Sequence, residues 1–161
     1  MNVTVMSDAS YCHTHKLAGY GYWIACERGK EGGGGVINDS VDGVNCAEMM
    51  AVCNTMWHGM KEGLIHRGDT LLVQTDSMHT INALSRQHPV RMTKQEIQVI
   101  TYFDEIVTKY DLTVNFRHVK GHSDSKEKRH LANNMCDQRA KQHLRAARNK
   151  IIHAQLMKEL F

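Results

Sequence analysis

The run Thr70-Leu71-Leu72-Val73-Gln74-Thr75-Asp76 constrains the fold of this chain more than any other stretch. It is short and nearly continuously apolar, preceded by Gly68 and Asp69 and followed at once by a helical segment from about Ser77 to Leu84. That is the pattern of a strand buried on both faces, as in parallel or mixed sheets covered by helices. The segment before it fits. From Cys46 to Leu64 the residues Met49, Val52, Cys53, Met56, Trp57, Met60 and Leu64 recur every three or four positions, as an amphipathic helix requires.

The remaining elements follow in order. Residues 2–8 read as a first strand and 17–27 as a second, while GKEGGGGVINDS supplies a glycine-rich turn and a third, making an antiparallel meander. That turn is not a phosphate cradle, because Gly29-Lys30 is followed by Glu31 and the glycines precede a strand. After Pro89, Thr93 and Glu96 have capping-box spacing ahead of Ile97, Ile100, Phe103, Ile106 and Val107. Residues 112–119 return to strand composition, and from about Asn134 neither Gly nor Pro interrupts a long helix. The predicted order is β-β-β-α-β-α-α-β-α, a single α/β domain.

Four carboxylates can be placed on this frame. Asp8 ends the first strand and Asp76 the fourth, while Glu48 and Asp137 stand in the first turns of predicted helices. A fourth strand parallel to the first, joined by a right-handed crossover, brings both strand ends to one edge, at the switch point where α/β sites form. Three of the four acids have a plainer reading. Asn45 and Glu48, like Asn134 and Asp137, have the spacing of helix caps, and Asp76 precedes a helix it could cap. Asp8 has no such excuse, since no helix follows it. A carboxylate in an apolar strand is costly unless something positive meets it. Four acids at one point would raise one another's pKa unless cations neutralised them. Hard oxygen ligands suit Mg²⁺ or Mn²⁺, and paired ions serve phosphodiester cleavage.

These stretches, in this order, resemble the type 1 ribonucleases H. The likeness rests on SDAS with Asp8, AGYGYWIA in the second strand, NCAEMMAV with Glu48, QTDS with Asp76, VKGHSD with His122 and NNMCDQRAK with Asp137, over residues 2 to about 148. It implies a ribonuclease H-like α/β fold, a five-stranded mixed sheet in the order 3-2-1-4-5 with helices on both faces. It implies endonucleolytic hydrolysis of the RNA strand of RNA/DNA hybrids, leaving 5′-phosphate and 3′-hydroxyl ends. Asp8, Glu48, Asp76 and Asp137 would hold two divalent ions, Mg²⁺ or alternatively Mn²⁺. By the same likeness His122 assists proton transfer or product departure and Asn45 contacts the hybrid, with Ser10, Thr14, Ser77, Lys120 and Arg139 as further expected substrate contacts. There are departures. Val44 stands where many bacterial members have Asn, and Met78 where they have Gln. Only SRQHPVRM separates the two middle helices, so a compact form without a basic protrusion is expected.

Charge and composition narrow the partners. Residues 117–150 carry ten Lys or Arg against three Asp or Glu, in a chain whose net charge is +3, which suits a polyanion. A chain of 161 residues, 42% hydrophobic and 23% charged, is long enough for one core, and it shows neither a signal sequence nor a membrane span. Five cysteines without CxxC spacing read as reduced thiols in a cytoplasmic protein. His13 and His15 form an HxH pair with no matching cluster, so no zinc is assigned to them. A monomer is expected, with residues 1–150 as the catalytic domain and 151–161 as a helical tail packed on it. The other reading makes the tail a partner-binding or dimerising helix, with a replication protein as the candidate partner. Two other functions share the pattern: a junction-resolving or integrase-like DNA nuclease, and a binding module without catalysis.

Overall fold

The computed structural model describes residues 1–37, 40–121 and 127–161. The strands are β1 (Asn2–Cys12), β2 (Leu17–Cys26), β3 (Gly29–Ile37), β4 (Thr70–Thr75) and β5 (Thr113–His118). The helices are α1 (Val44–Lys61), α2 (Met78–Ser85), α3 (Lys94–Lys109) and α4 (Lys128–Leu160). The five strands form one sheet in the order β3-β2-β1-β4-β5, as the resemblance implies. β1, β2 and β3 pair antiparallel, whereas β4 pairs in parallel with both β1 and β5. Among the described residues no helix is long and apolar enough to cross a membrane.

Strand alternation divides the interior. Val3 and Val5 of β1 and Leu71 and Val73 of β4 join the larger core under α1 and α3, with Met49, Val52, Met56 and Phe103. Met6 points the other way and packs with Val119 and Cys136 beneath α4. Residues Met6 and Asp8 share a side, so the Asp8 carboxylate emerges on the α4 face of the sheet. α2 and α3 are capped locally: Ser77 accepts from Thr80 N, and Thr93 and Glu96 form the expected capping box. At the edge of the core, Arg28 of the β2–β3 turn grips the buried Asp69 before β4 at 2.5 and 3.0 Å. The guanidinium holds the Asp69 carboxyl well below the usual carboxylate range.

Four expectations are corrected. The glycines Gly32 to Gly35 are strand β3 itself and not a turn. They are needed because Cβ atoms at Gly33 and Gly35 would press on the Tyr22 and Tyr20 hydroxyls, at 2.9 and 3.0 Å, and those at Gly32 and Gly34 would meet Arg139 and His143. β1 continues to Cys12, so Asp8 lies within it and not at its end. α4 begins at Lys128, ahead of the expected Asn134, since no breaker stands between them. Its end does not pack on the domain. Leu144 is the last buried residue of α4, and Ile152, Leu156, Leu160 and Phe161 are exposed.

Glycine also sets how closely α4 lies on the sheet. A Cβ on Gly21 would collide with the carbonyl oxygen of Cys136, and one on Gly19 would stand 2.6 Å from Leu144 N. The helix backbone therefore rests directly on β2. Gly21 is the register partner of Asp8, and Cys136 immediately precedes Asp137, so this contact sets the spacing between the two acids. Replacing Gly21 by Ala must lift α4, and we expect a loss of about 3 kcal/mol in unfolding free energy. Urea unfolding of Gly21→Ala checks this, and an unchanged midpoint would contradict it.

Candidate active site

The crevice forms where two strands part. β1 and β4 stay paired only as far as Met6 and Gln74, after which β1 continues along β2 while β4 turns into α2. Asp8 lies two residues beyond the last pair on β1, and Asp76 two beyond it on β4. α1 contributes Glu48 and α4 contributes Asp137. Carboxylate oxygens of Asp8, Glu48 and Asp76 all lie within 4.8 Å of one another. The fourth acid, Asp137, stands close enough for its charge to act on Asp8.

The plainer readings of these acids fail on geometry. α1 starts at Val44 with Gly43 as its cap and no side-chain cap bond, so neither Asn45 nor Glu48 serves as one. Ser77, not Asp76, caps α2. Asp137 is far from the start of α4, whose N-cap is Glu127. None of the acids is where it is for the sake of a helix end.

The electrostatics of the cluster are unfavourable as it stands. Asp8 is 4% exposed and Glu48 7%. Burial, then the charges of Asp76 and Asp137, push the Asp8 carboxyl up to about 8. Burial, then Asp8 and Asp76, raise Glu48 well above its ordinary range. Among the described residues no cation pairs with either. Glu48 Oε2 is buried without a hydrogen-bond partner among them, the kind of atom a coordinated ion would satisfy. The donor set is all oxygen and acidic, which fits a hard divalent cation.

The surroundings hold the acids in place. Ala9 N donates to Asp8 Oδ1 at 3.0 Å. Lys141 Nζ donates to Asp137 Oδ2 at 2.9 Å, one helical turn on. His118 Nε2 lies 3.1 Å from the Asp76 carbonyl oxygen, as a donor to it. Lys141 and His118 were not singled out from sequence. The first was legible as an i,i+4 acid–base pair, but the second needs the β4–β5 register.

The other expected residues divide. Ser10 follows Asp8 on the same side of β1, and Asn45 is exposed at the start of α1. Thr14, in the β1–β2 turn, and Lys120 are also exposed. Ser77 spends its hydroxyl on the α2 cap. Arg139 is turned onto the sheet, where Nη1 donates to the Tyr22 carbonyl at 3.3 Å, and is not brought to the acids. His122 lies outside the described residues. Val44 opens α1 and Met78 opens α2 with exposed apolar side chains, each 47% exposed.

Because the folded state favours protonated Asp8, that group's contribution to stability is fully present below its ordinary value of 3.8 and is lost as pH rises towards about 8. In chelator, Asp8→Asn is expected to unfold at higher urea than the parent near pH 8, by about 1–3 kcal/mol, and by much less near pH 4. A penalty that is the same at both pH values would contradict the assignment.

Comparison with known proteins agrees with this geometry. The family model described as RNase H matches residues 1–145. No curated protein matches the chain. Among solved structures, RNase H1 from the halophilic archaeon Halobacterium salinarum superposes with a TM-score of 0.70 at 17% identity, over 91% of this chain and 99% of the other. The N-terminal RNase H domain of a Mycobacterium tuberculosis protein gives 0.71 at 16% identity, over 93% and 98%. LC11-RNase H1 in complex with an RNA/DNA hybrid gives 0.62 at 15%, over 88% and 99%. At such identities these structures share the fold, and with the match along residues 1–145 the chain belongs to the RNase H family.

Proposed function

We propose that this protein hydrolyses the RNA strand of RNA/DNA hybrids endonucleolytically, with two divalent cations, Mg²⁺ or Mn²⁺, held by Asp8, Glu48, Asp76 and Asp137. The observation that carries the proposal is the buried acid cluster at the β1–β4 split, with Glu48 Oε2 unsatisfied, in a chain of the RNase H family. The hybrid complex of LC11-RNase H1 supports the choice of substrate. Bound cations supply charge neutralisation and Lewis acidity at the scissile phosphate. The chain's part is to hold its carboxylates ionised and fixed, which the Ala9, His118 and Lys141 contacts favour. Water attacks phosphorus, the bond to O3′ breaks and that oxygen takes up a proton, leaving 3′-hydroxyl and 5′-phosphate ends.

Recognition of RNA in a hybrid rests on 2′-hydroxyls reached across a wide minor groove. We assign this task to Ser10, Thr14, Asn45, Ser77 and Lys120. The apolar Val44 and Met78 predict fewer polar contacts than a polar pair would make. Residues 1–150 form the catalytic unit in this reading, a monomer of the compact form in which residues 86–93 alone connect α2 to α3. The exposed end of α4 is left to a partner, a replication protein being the candidate.

An end-labelled RNA/DNA hybrid tests the proposal. Cutting of the RNA strand is expected only with Mg²⁺ or Mn²⁺, and Asp76→Asn should lower it by at least about a hundredfold. Cation-independent cutting, or none by folded protein, would contradict it.

A further inference from the structure

The segment following β5 approaches Asp76 more closely than a side chain would permit. A Cβ on Gly121 would lie 2.7 Å from Asp76 Oδ2, with Asp76 Cβ and Cγ next at 3.4 and 3.5 Å. Among the described residues, all three nearest atoms belong to this one residue. Real Cβ atoms essentially never come within 3.0 Å of another heavy atom, so the carboxylate would have to move. The backbone gives no other reason for glycine here. The positive-φ glycines are Gly29, Gly63 and Gly68, and Gly121 is not among them, so its conformation is open to any residue.

The approach is set by pairing that continues to Val119, two residues before Gly121. Val119 N donates to Thr75 O at 2.9 Å, extending the β4–β5 pairing one step past the strands, and His118 Nε2 meets the Asp76 carbonyl oxygen. Asp76 is thus held through its backbone by His118 and bounded at its carboxylate by Gly121. With its main chain held, Asp76 answers an added methyl group by rotating its side chain. A rotation of that kind displaces the carboxylate, one oxygen of which lies within 4.8 Å of oxygens of Asp8 and Glu48.

We propose that Gly121 is a positioning residue for Asp76, and that the missing side chain keeps the Asp76 carboxylate where it can join Asp8 and Glu48 on a divalent cation. The inference rests on the reading that these acids bind such a cation, and the experiment separates the two. Mn²⁺ is titrated calorimetrically, without substrate, into the unaltered protein, Asp76→Asn and Gly121→Ala. Binding by the unaltered protein and its loss in Asp76→Asn establish the cation site independently. Gly121→Ala is then expected to raise the Mn²⁺ Kd at least tenfold. An unchanged Kd overturns the positioning role while leaving the site intact. Absence of binding by the unaltered protein overturns both.

A stability cycle tests the same contact without any cation. In chelator, Gly121→Ala should lower the urea midpoint further in the parent than in an Asp76→Ala background, where the carboxylate that meets the methyl is gone. An equal drop in both backgrounds would mean that Gly121 serves the fold and not Asp76, and would overturn the inference.

Discussion

The structure turns on the mutual repulsion of carboxylates held out of water. Asp8, Glu48 and Asp76 present oxygens within 4.8 Å of one another, and the first two are almost wholly buried. Such an arrangement costs stability in the absence of a cation, and burial with the neighbouring charges shifts Asp8 and Glu48 upward, towards their protonated forms. A site that is strained without its ligand and relaxed with it is pre-organised, because its geometry does not have to be assembled at binding.

The rest of the chain explains how Asp8, Glu48 and Asp76 reach one point, with the charge of Asp137 acting on it. Parallel pairing of β4 beside β1 brings Asp8 and Asp76 to the same edge, and the strands separate just below them. α1 enters at that edge and carries Glu48. α4 comes from the opposite face, and its approach depends on Gly19 and Gly21, which let its backbone rest on β2. Gly121 plays the corresponding part for Asp76. The acids depend for their placing on residues with no side chain at all.

How far this was legible in the sequence varied with the kind of signal. The buried strand 70–76, the α1 periodicity and the Thr93–Glu96 capping box were readable because period and local chemistry determine them. The four acids were readable because they sit on those elements, and the ordered motifs pointed to the family. Gly32 to Gly35 were misread because four glycines carry a strong local turn signal, whereas here the tyrosine rings and α4 press on both sides of a strand. The start of α4 was placed late because only the absence of a breaker marks it. His118 and Gly121 were invisible for another reason. Their roles exist only through contacts with Asp76, more than forty positions away. The exposed apolar end of α4 gives the same helical pattern as a packed one, so periodicity could not tell them apart.

The central claim is that the buried acids exchange protons for divalent cations. Calorimetric titration of Mg²⁺ near pH 7, in buffers of different ionisation enthalpy, counts the protons released on binding. Because Asp8 without a cation is pushed up to about 8, binding should release about one proton per chain or more. Binding with no proton release would contradict the account of the cluster's electrostatics, and absence of binding would contradict the site itself.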